Sequence, residues 1–132
     1  MTQQLPILIV SCRSENRKSL TKVFSTLPID SYTVSTLREA RETLDKKSFG
    51  VVFCEERLSD GRYCELLTEV QARNGDTRFV VMLCVGEWEE YLNAVRLGAS
   101  EVLRCPLHST DIDLALIHAM RGSYSKQMAA HA

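Results

Sequence analysis

Residues 50–61 read Gly-Val-Val-Phe-Cys-Glu-Glu-Arg-Leu-Ser-Asp-Gly, and this stretch decides the fold. Its apolar residues follow one another without alternation, which predicts a strand buried on both faces, as in the centre of a parallel sheet. The run stops at two carboxylates, Glu55 and Glu56, and a Ser-Asp-Gly turn follows. Because chemistry in an open α/β sheet collects at the carboxyl ends of the strands, Glu55 stands where a functional residue is expected.

Outward from this strand, strand and helix patterns alternate along the chain. Such alternation predicts a parallel sheet with helices on both faces. We therefore expect a flavodoxin-like, doubly wound α/β domain with five strands in the order 2-1-3-4-5 and five helices. The other strands are predicted at 5–10, 32–35, 79–84 and 102–103, and the helices at 15–25, 36–47, 62–72, 87–97 and 110–121.

Local signals support several of these boundaries. Thr36 and Glu39 have the spacing of a capping box that opens the second helix, and Gly98 is a helix stop after the fourth. In the last helix, Ile112, Leu116 and Ala119 have core spacing. Residues 122–132 lack periodicity, so we predict a domain over 1–121 followed by a flexible tail or the start of a linker.

The composition is that of an ordinary globular domain. The chain has 132 residues, a net charge of -1 and 45% hydrophobic residues, which is enough for one self-sufficient core. Without a basic excess, we expect no binding of nucleic acid or of an anionic membrane. The N-terminus has no signal-peptide pattern, so we expect a cytoplasmic protein whose five cysteines are free thiols.

These patterns together resemble the response-regulator receiver (CheY-like) domain over roughly residues 5–121. The resemblance rests on Ile-Leu-Ile-Val in the first strand, on Glu-Arg-Leu-Ser-Asp-Gly after the third, and on residues 97–107, Leu-Gly-Ala-Ser-Glu-Val-Leu-Arg-Cys-Pro-Leu. The last segment is similar to the family's Gly-Ala-x-x-Tyr-Leu-x-Lys-Pro signature, and Gly98, Ala99, Leu103 and Pro106 match it.

The resemblance implies a phosphoacceptor Asp after the third strand, an acidic pair that holds Mg²⁺ after the first, and a hydroxyl and a Lys that grip the phosphoryl group. This sequence departs from that pattern almost everywhere. Ser11 and Cys12 stand at the acidic-pair positions, Glu55 at the acceptor, Cys105 at the Lys and Val102 at the aromatic switch.

The hydroxyl position has two candidates. It falls on Leu83 without a gap, or on Cys84 if one residue is deleted from the following loop. We prefer Leu83, because the spacings from Glu55 and to Gly98 then both fit without gaps. Neither residue supplies a hydroxyl.

These departures predict a degenerate, pseudo-receiver variant with no catalytic residue, metal or cofactor, and hence no enzyme. Ser11 and Cys12 offer a weak hydroxyl and a soft thiol, whereas Mg²⁺ prefers octahedral oxygen ligation. Phosphoryl transfer depends on positioning and charge neutralisation, and the developing charge would have no stabiliser here. Glu55 then has two interpretations. It either imitates the phosphorylated charge, or, as we favour, it is a solvated carboxylate that pairs with Arg13 or Arg57.

The cysteines suggest a further hypothesis. Cys12, Cys84 and Cys105 all lie at strand ends around the predicted site, and soft thiolates that lie close together bind zinc or form a disulfide. Cys12 and Cys84 would lie too far apart, but Cys84 and Cys105 would end adjacent strands, within disulfide range. Buried, inert cysteines are the simpler expectation.

The fourth helix offers a candidate partner surface. Trp88 and Tyr91 share a stripe with Leu92 and Val95, so Trp88 either covers a core made by Leu92 and Val95 or anchors a partner. The main hypothesis is a phosphorelay receiver in a bacterial two-component pathway that binds a protein partner independently of phosphorylation. A homodimer through the fourth helix, fifth strand and fifth helix is a further expectation. The alternatives are a phosphorylatable receiver with an atypical site and a cysteine-based redox sensor.

Overall fold

The computed structural model describes residues 6–84 and 88–119. Its main sheet is parallel and has five strands in the order β2-β1-β3-β6-β7. These strands are β1 (Ile7–Val10), β2 (Ser31–Val34), β3 (Val51–Glu55), β6 (Arg78–Leu83) and β7 (Glu101–Arg104). Two further short strands, β4 (Arg57–Leu58) and β5 (Gly61–Arg62), form a separate antiparallel pair. The predicted order of the main sheet is confirmed.

The helices follow the strands in alternation. They are α1 (Ser14–Phe24), α2 (Leu37–Lys46), α3 (Tyr63–Arg73), α4 (Trp88–Leu97) and α5, which covers residues 109–119. The predicted boundaries differ from these by one or two residues at most of the ends that the structure describes. The proposed tail at 122–132 lies outside the described residues.

Two apolar clusters, one on each face of the sheet, hold the layers together. On one face, alternate residues of the central strands, such as Leu8, Val52 and Val81, pack against α2, α3 and α4. On the other face their neighbours, such as Ile9 and Phe53, pack against α1 and α5. β1 and β3 are buried throughout because helices cover both of their faces, as their unbroken apolar runs predict.

The capping signals are confirmed with one change. Thr36 caps α2 by accepting a hydrogen bond from the backbone N–H of Glu39 at 3.1 Å. The Glu39 carboxylate accepts from the backbone N–H of Ser35, one residue before the cap, and from the Thr36 hydroxyl, rather than from the backbone N–H of Thr36. Gly98 has a φ of 104°, which other residues rarely adopt, and it ends α4 as expected.

The short hairpin of β4 and β5 was not predicted. It directly follows β3, with Arg57 paired to Arg62 and Leu58 to Gly61. Gly61 has a φ of 154°, and a Cβ there would come within 2.5 Å of a methyl group of Leu37. The Ser-Asp-Gly turn that the sequence indicates is therefore the tip of a hairpin that packs close to the start of α2.

None of the helices in the described parts of the chain combines the length and the apolar character that crossing a membrane requires.

Candidate functional site

The candidate site lies at the carboxyl ends of β1, β3, β6 and β7, where the sequence analysis expects it. Glu55 ends β3, and Ser11 and Cys12 directly follow β1. Cys84 and Cys105 directly follow β6 and β7. Parallel strands end at one edge of a sheet, so residues from distant parts of the sequence meet there.

Glu55 is the centre of this site, and it is buried, with only 2% of its surface exposed. Its Oε1 accepts hydrogen bonds from the Ser11 hydroxyl at 3.0 Å and from the side-chain amide of Asn16 at 2.9 Å. A longer one, 3.3 Å, comes from the backbone N–H of Arg13. Its Oε2 accepts from the backbone N–H of Cys12 at 2.7 Å and from the Cys12 thiol at 3.4 Å.

The expectation of a solvated Glu55 paired with Arg13 or Arg57 is therefore wrong. Arg13 contributes its backbone N–H rather than its guanidinium, and Arg57 enters the site only through its carbonyl, which accepts from the Cys12 thiol at 3.7 Å. A buried carboxylate requires hydrogen-bond donors, and the loop after β1 supplies them. Glu55 thus fastens the end of β3 to the start of α1.

Asn16 is a site residue that the sequence analysis missed. It is 4% exposed, and its side-chain N–H groups point at Glu55 Oε1, at Cys84 Sγ (3.5 Å) and at Cys105 Sγ (3.4 Å). A signal was present in the sequence: Asn16 lies four and eight residues before Leu20 and Phe24, the buried residues of α1. A polar residue in a helix's apolar stripe indicates either a core hydrogen bond or a site.

Cys84 and Cys105 are joined by a disulfide bond, with their Cα atoms 4.6 Å apart. The expectation that all the cysteines are free thiols is therefore wrong for these two, whereas their predicted closeness is confirmed. Adjacent parallel strands end side by side, and here each strand is followed at once by a cysteine. Cys12, Cys54 and Cys64 are free.

The structure brings Cys84, and not Leu83, to the site. Leu83 is the last residue of β6, and its side chain is buried in the core on the α2–α4 face. Side chains alternate between the faces along a strand, so only the residue after Leu83 reaches the end of the sheet beside Asn16. Val102, at the switch position, lies in β7 and is partly buried against the same core.

The free thiols nearest to Glu55 have raised pKa values. Partial removal from water raises the pKa of Cys12, and the charge of Glu55 and the hydrogen bond to it raise that pKa further. Complete burial raises the pKa of Cys54 well above its ordinary value, with the charge of Glu55 as a smaller cause. Both groups are therefore poor sources of thiolate, the form that binds metals and attacks electrophiles.

Glu56, the second carboxylate of the pair, faces away from this cluster. It accepts a hydrogen bond from the Arg62 guanidinium at 3.4 Å, and Arg62 also pairs with Glu90 of α4 at 3.1 Å. The hydrogen bond to Glu90 is the main reason why the pKa of Arg62 is raised above its ordinary value. These contacts connect the end of β3, the hairpin and α4.

The residues present do not fit a magnesium ion. Glu55 is the only carboxylate in the cluster just described, and the Ser11 hydroxyl is already used as a donor to it. In the described ranges, no group of three or more His, Cys, Asp and Glu side chains is arranged to hold a metal ion. Proteins usually hold Mg²⁺ by one or two carboxylates together with water and phosphate oxygens, and here both oxygens of the single carboxylate already accept hydrogen bonds from the protein.

The face that carries α4 presents an aromatic pair, in which Trp88 is exposed and Tyr91 is partly buried against the core. Trp88 is 63% exposed and stacks on Tyr91, with ring centroids 5.3 Å apart and planes 4° from parallel. The idea that Val95 is a core residue is wrong, since it is 50% exposed and Ala94 is the buried residue of α4. Further exposed apolar side chains on α4 and α5 are Leu97, Leu114 and Ile117.

Comparisons with known proteins find relatives with similar sequences and solved structures with a similar fold. No model of a known protein family matches the chain. Over 61 residues, 46% of this chain and 31% of the relative, it is 39% identical to the acid tolerance regulatory protein ActR of Rhizobium meliloti. Over 100 residues, 76% of this chain and 22% of the relative, it is 26% identical to the response regulator protein PilR of Pseudomonas aeruginosa. The chain thus spans less than a third of the length of either relative.

Solved structures show the same fold. The signal receiver domain of a putative LuxO repressor protein from Vibrio parahaemolyticus superposes with a TM-score of 0.86, covering 96% of this chain and 98% of that one at 16% identity. The chain therefore has the CheY-like receiver fold, and its sequence similarity to response regulators supports a receiver domain of the two-component type.

Proposed function

We propose that this receiver-fold chain is a protein-interaction domain of a bacterial two-component pathway that works without being phosphorylated. The observation that carries the proposal is the hydrogen bonding of Glu55, whose two oxygens both accept from the loop after β1. In this proposal the chain is not an enzyme, and it keeps the receiver fold as a rigid support for a docking surface.

The state of Glu55 argues against an acceptor role. A carboxylate that attacks a phosphoryl group needs an oxygen free to approach phosphorus and cations to neutralise the developing charge. Both Glu55 oxygens are engaged, the side chain is buried, and the donor set does not fit Mg²⁺. Where the family has a Lys, this chain has Cys105, which is bonded to Cys84.

The surface around α4 supports the docking role. Large aromatic side chains that remain exposed are frequent anchors at protein interfaces. The stacked pair of Trp88 and Tyr91 presents two rings in one fixed arrangement, so little side-chain freedom is lost on binding. Val95 on α4 and Leu114 and Ile117 on α5 add exposed apolar area. A protein partner of the pathway, or a second copy of this chain, is the proposed occupant.

The first test is chemical labelling. Incubation with acetyl phosphate and Mg²⁺, followed by intact-mass measurement, should leave the chain unmodified. Glu55→Asp is the matched variant. It restores the usual acceptor aspartate but not the acidic pair, the hydroxyl or the lysine, so it too should stay unmodified. An added 80 Da on the unaltered chain would identify a phosphorylatable receiver and remove the proposal.

The second test locates the docking surface. With a partner isolated by affinity capture, Trp88→Ala should weaken binding in titration calorimetry by about 2 kcal/mol, the usual size for a central aromatic anchor. Tyr32→Ala, an exposed aromatic on the edge strand β2, is the matched control and should bind as the unaltered chain does. If Trp88→Ala and Tyr91→Ala bind normally while Glu55→Gln abolishes binding, Glu55 acts as a mimic of the phosphorylated charge instead.

A further inference from the structure

Cys84 and Cys105 are held side by side by the sheet itself. Leu83 and Arg104, the residues before them, are register partners at the ends of β6 and β7. The backbone N–H of Cys105 donates to the carbonyl of Leu83 at 2.9 Å. These contacts do not depend on the sulfur–sulfur bond, so the two thiols of the reduced protein would also lie next to each other.

The pair is open to small reagents. Both cysteines are half-buried, and together with Arg13, Asn16 and Pro106 they line a depression that opens to solvent. Asn16 donates towards both sulfur atoms, so the pair lies directly against the start of α1. Cys54, by contrast, is buried and belongs to the core, and nothing brings Cys64 to this edge of the sheet.

We propose that Cys84 and Cys105 are a reversible redox pair, oxidised by a peroxide and reduced by a dithiol. The proposal does not depend on the docking role or on the loss of phosphorylation. It gives the two cysteines at the carboxyl ends of β6 and β7 a chemistry of their own.

The oxidation balances with hydrogen peroxide as the oxidant. One cysteine loses its proton, its thiolate attacks a peroxide oxygen and the O–O bond breaks. The leaving hydroxide takes up that proton, so a sulfenic acid and one water result. The second thiol attacks that sulfur, the S–S bond forms and a second water leaves. Two thiols and one peroxide therefore give one disulfide and two waters, and the two electrons pass from sulfur to oxygen.

The reduction is a thiol–disulfide exchange. A thiolate of the dithiol attacks one sulfur of the pair, the S–S bond breaks, and the other cysteine leaves as a thiolate that takes up a proton. The second thiol of the reductant then attacks the mixed disulfide, releases the remaining cysteine and leaves as a cyclic disulfide.

Thiol counting on the purified native chain tests the proposal. The protein is incubated with dithiothreitol, freed of it, and treated with one equivalent of hydrogen peroxide. A sample from each stage is denatured in the presence of maleimide, which labels free thiols, and its mass is measured by mass spectrometry. We expect five labelled cysteines after dithiothreitol and three after peroxide, with peptide mapping showing a Cys84–Cys105 link, and five again after a second reduction.

Two results would overturn the proposal. Five labelled cysteines after peroxide would mean that the pair does not form, and three labelled after native reduction would mean a permanent structural bond. Cys105→Ser cannot form the link and should lose at most one of its four labels, as a sulfenic acid at Cys84, whereas Cys64→Ser, the matched control, should lose two of its four. Because the unaltered chain gives the main result, the test does not depend on the folding of either variant.

Discussion

Asp60 holds the first turn of a helix that begins 23 residues earlier in the chain: its Oδ1 accepts a hydrogen bond from the backbone N–H of Leu37 at 2.9 Å. Its Oδ2 accepts from the N–H of Arg38 at 3.0 Å. The first N–H groups of a helix have no partner within the helix, so a carboxylate there satisfies them and also interacts favourably with the helix dipole. The hairpin tip is thereby fastened to α2.

Replacing this carboxylate should weaken the fold. We expect Asp60→Ala to lower the free energy of unfolding by about 1 kcal/mol, the usual loss for a helix cap. Asp76→Ala, which alters an exposed aspartate in the turn before β6, is the matched control and should change stability by less than about 0.5 kcal/mol. Urea titrations followed by circular dichroism provide the measurement. Equal midpoints for the two variants would contradict this role.

The same contact should depend on pH. The hydrogen bond from Leu37, and to a smaller extent the one from Arg38, lowers the pKa of Asp60 in the folded state. A group with a lowered folded pKa stabilises the protein above its unfolded pKa, about 3.9 for Asp, and this contribution is lost as the pH falls through the folded value. The stability difference between the unaltered chain and Asp60→Ala should therefore be constant near neutrality and shrink below about pH 4. A difference that grows on acidification would contradict the assignment.

The hydrogen bonds of Glu55 should contribute to the stability of the fold. In Glu55→Gln an amide N–H₂ replaces one acceptor oxygen and faces either the donors of Cys12 or those of Ser11 and Asn16. Leaving buried donors without an acceptor should cost about 2 kcal/mol. Glu42→Gln changes an exposed carboxylate on α2 and serves as the comparison in the same urea titration. Glu55→Gln and Glu42→Gln should be measured with the Cys84–Cys105 pair in the same oxidation state.

Reduction of Cys84–Cys105 should destabilise the fold without abolishing it. The bond closes a loop with a sequence separation of 21 residues, which includes α4. Removing a cross-link over a loop of this length should cost about 3 kcal/mol, chiefly because the unfolded chain gains freedom. Thermal unfolding with and without dithiothreitol measures the difference, and Cys105→Ser should unfold at the same temperature under both conditions.

The fold could be predicted from the sequence because its signals are local. Unbroken apolar runs such as the one ending at Cys54 indicate central strands, and alternating strands and helices indicate a parallel sheet, for which 2-1-3-4-5 is one of the common orders. The hairpin after β3 was missed because its strands have only two residues each. The contact between Asp60 and Leu37 joins residues that are far apart in sequence, and no local pattern indicates it.

The candidate site was predicted in position but not in detail. Counting residues without gaps favours Leu83, whereas the alternation of side chains along β6 turns that residue into the core and leaves Cys84 at the site. The burial of Glu55 could not be predicted either, because it depends on where the loop after β1 folds back. Asn16, in line with Leu20 and Phe24, did have a readable signal.

The hydrogen bonds of Glu55 make the residues of this site interdependent under mutation. The Cys12 thiol lies 3.4 Å from Glu55 Oε2, so an aspartate at residue 12 would bring a second negative charge against Glu55. Shortening Glu55 to Asp would withdraw the oxygens from donors that would then be left unsatisfied. Because Ser11, Cys12 and Asn16 share Glu55 as their acceptor, the effects of substitutions at these residues should be non-additive.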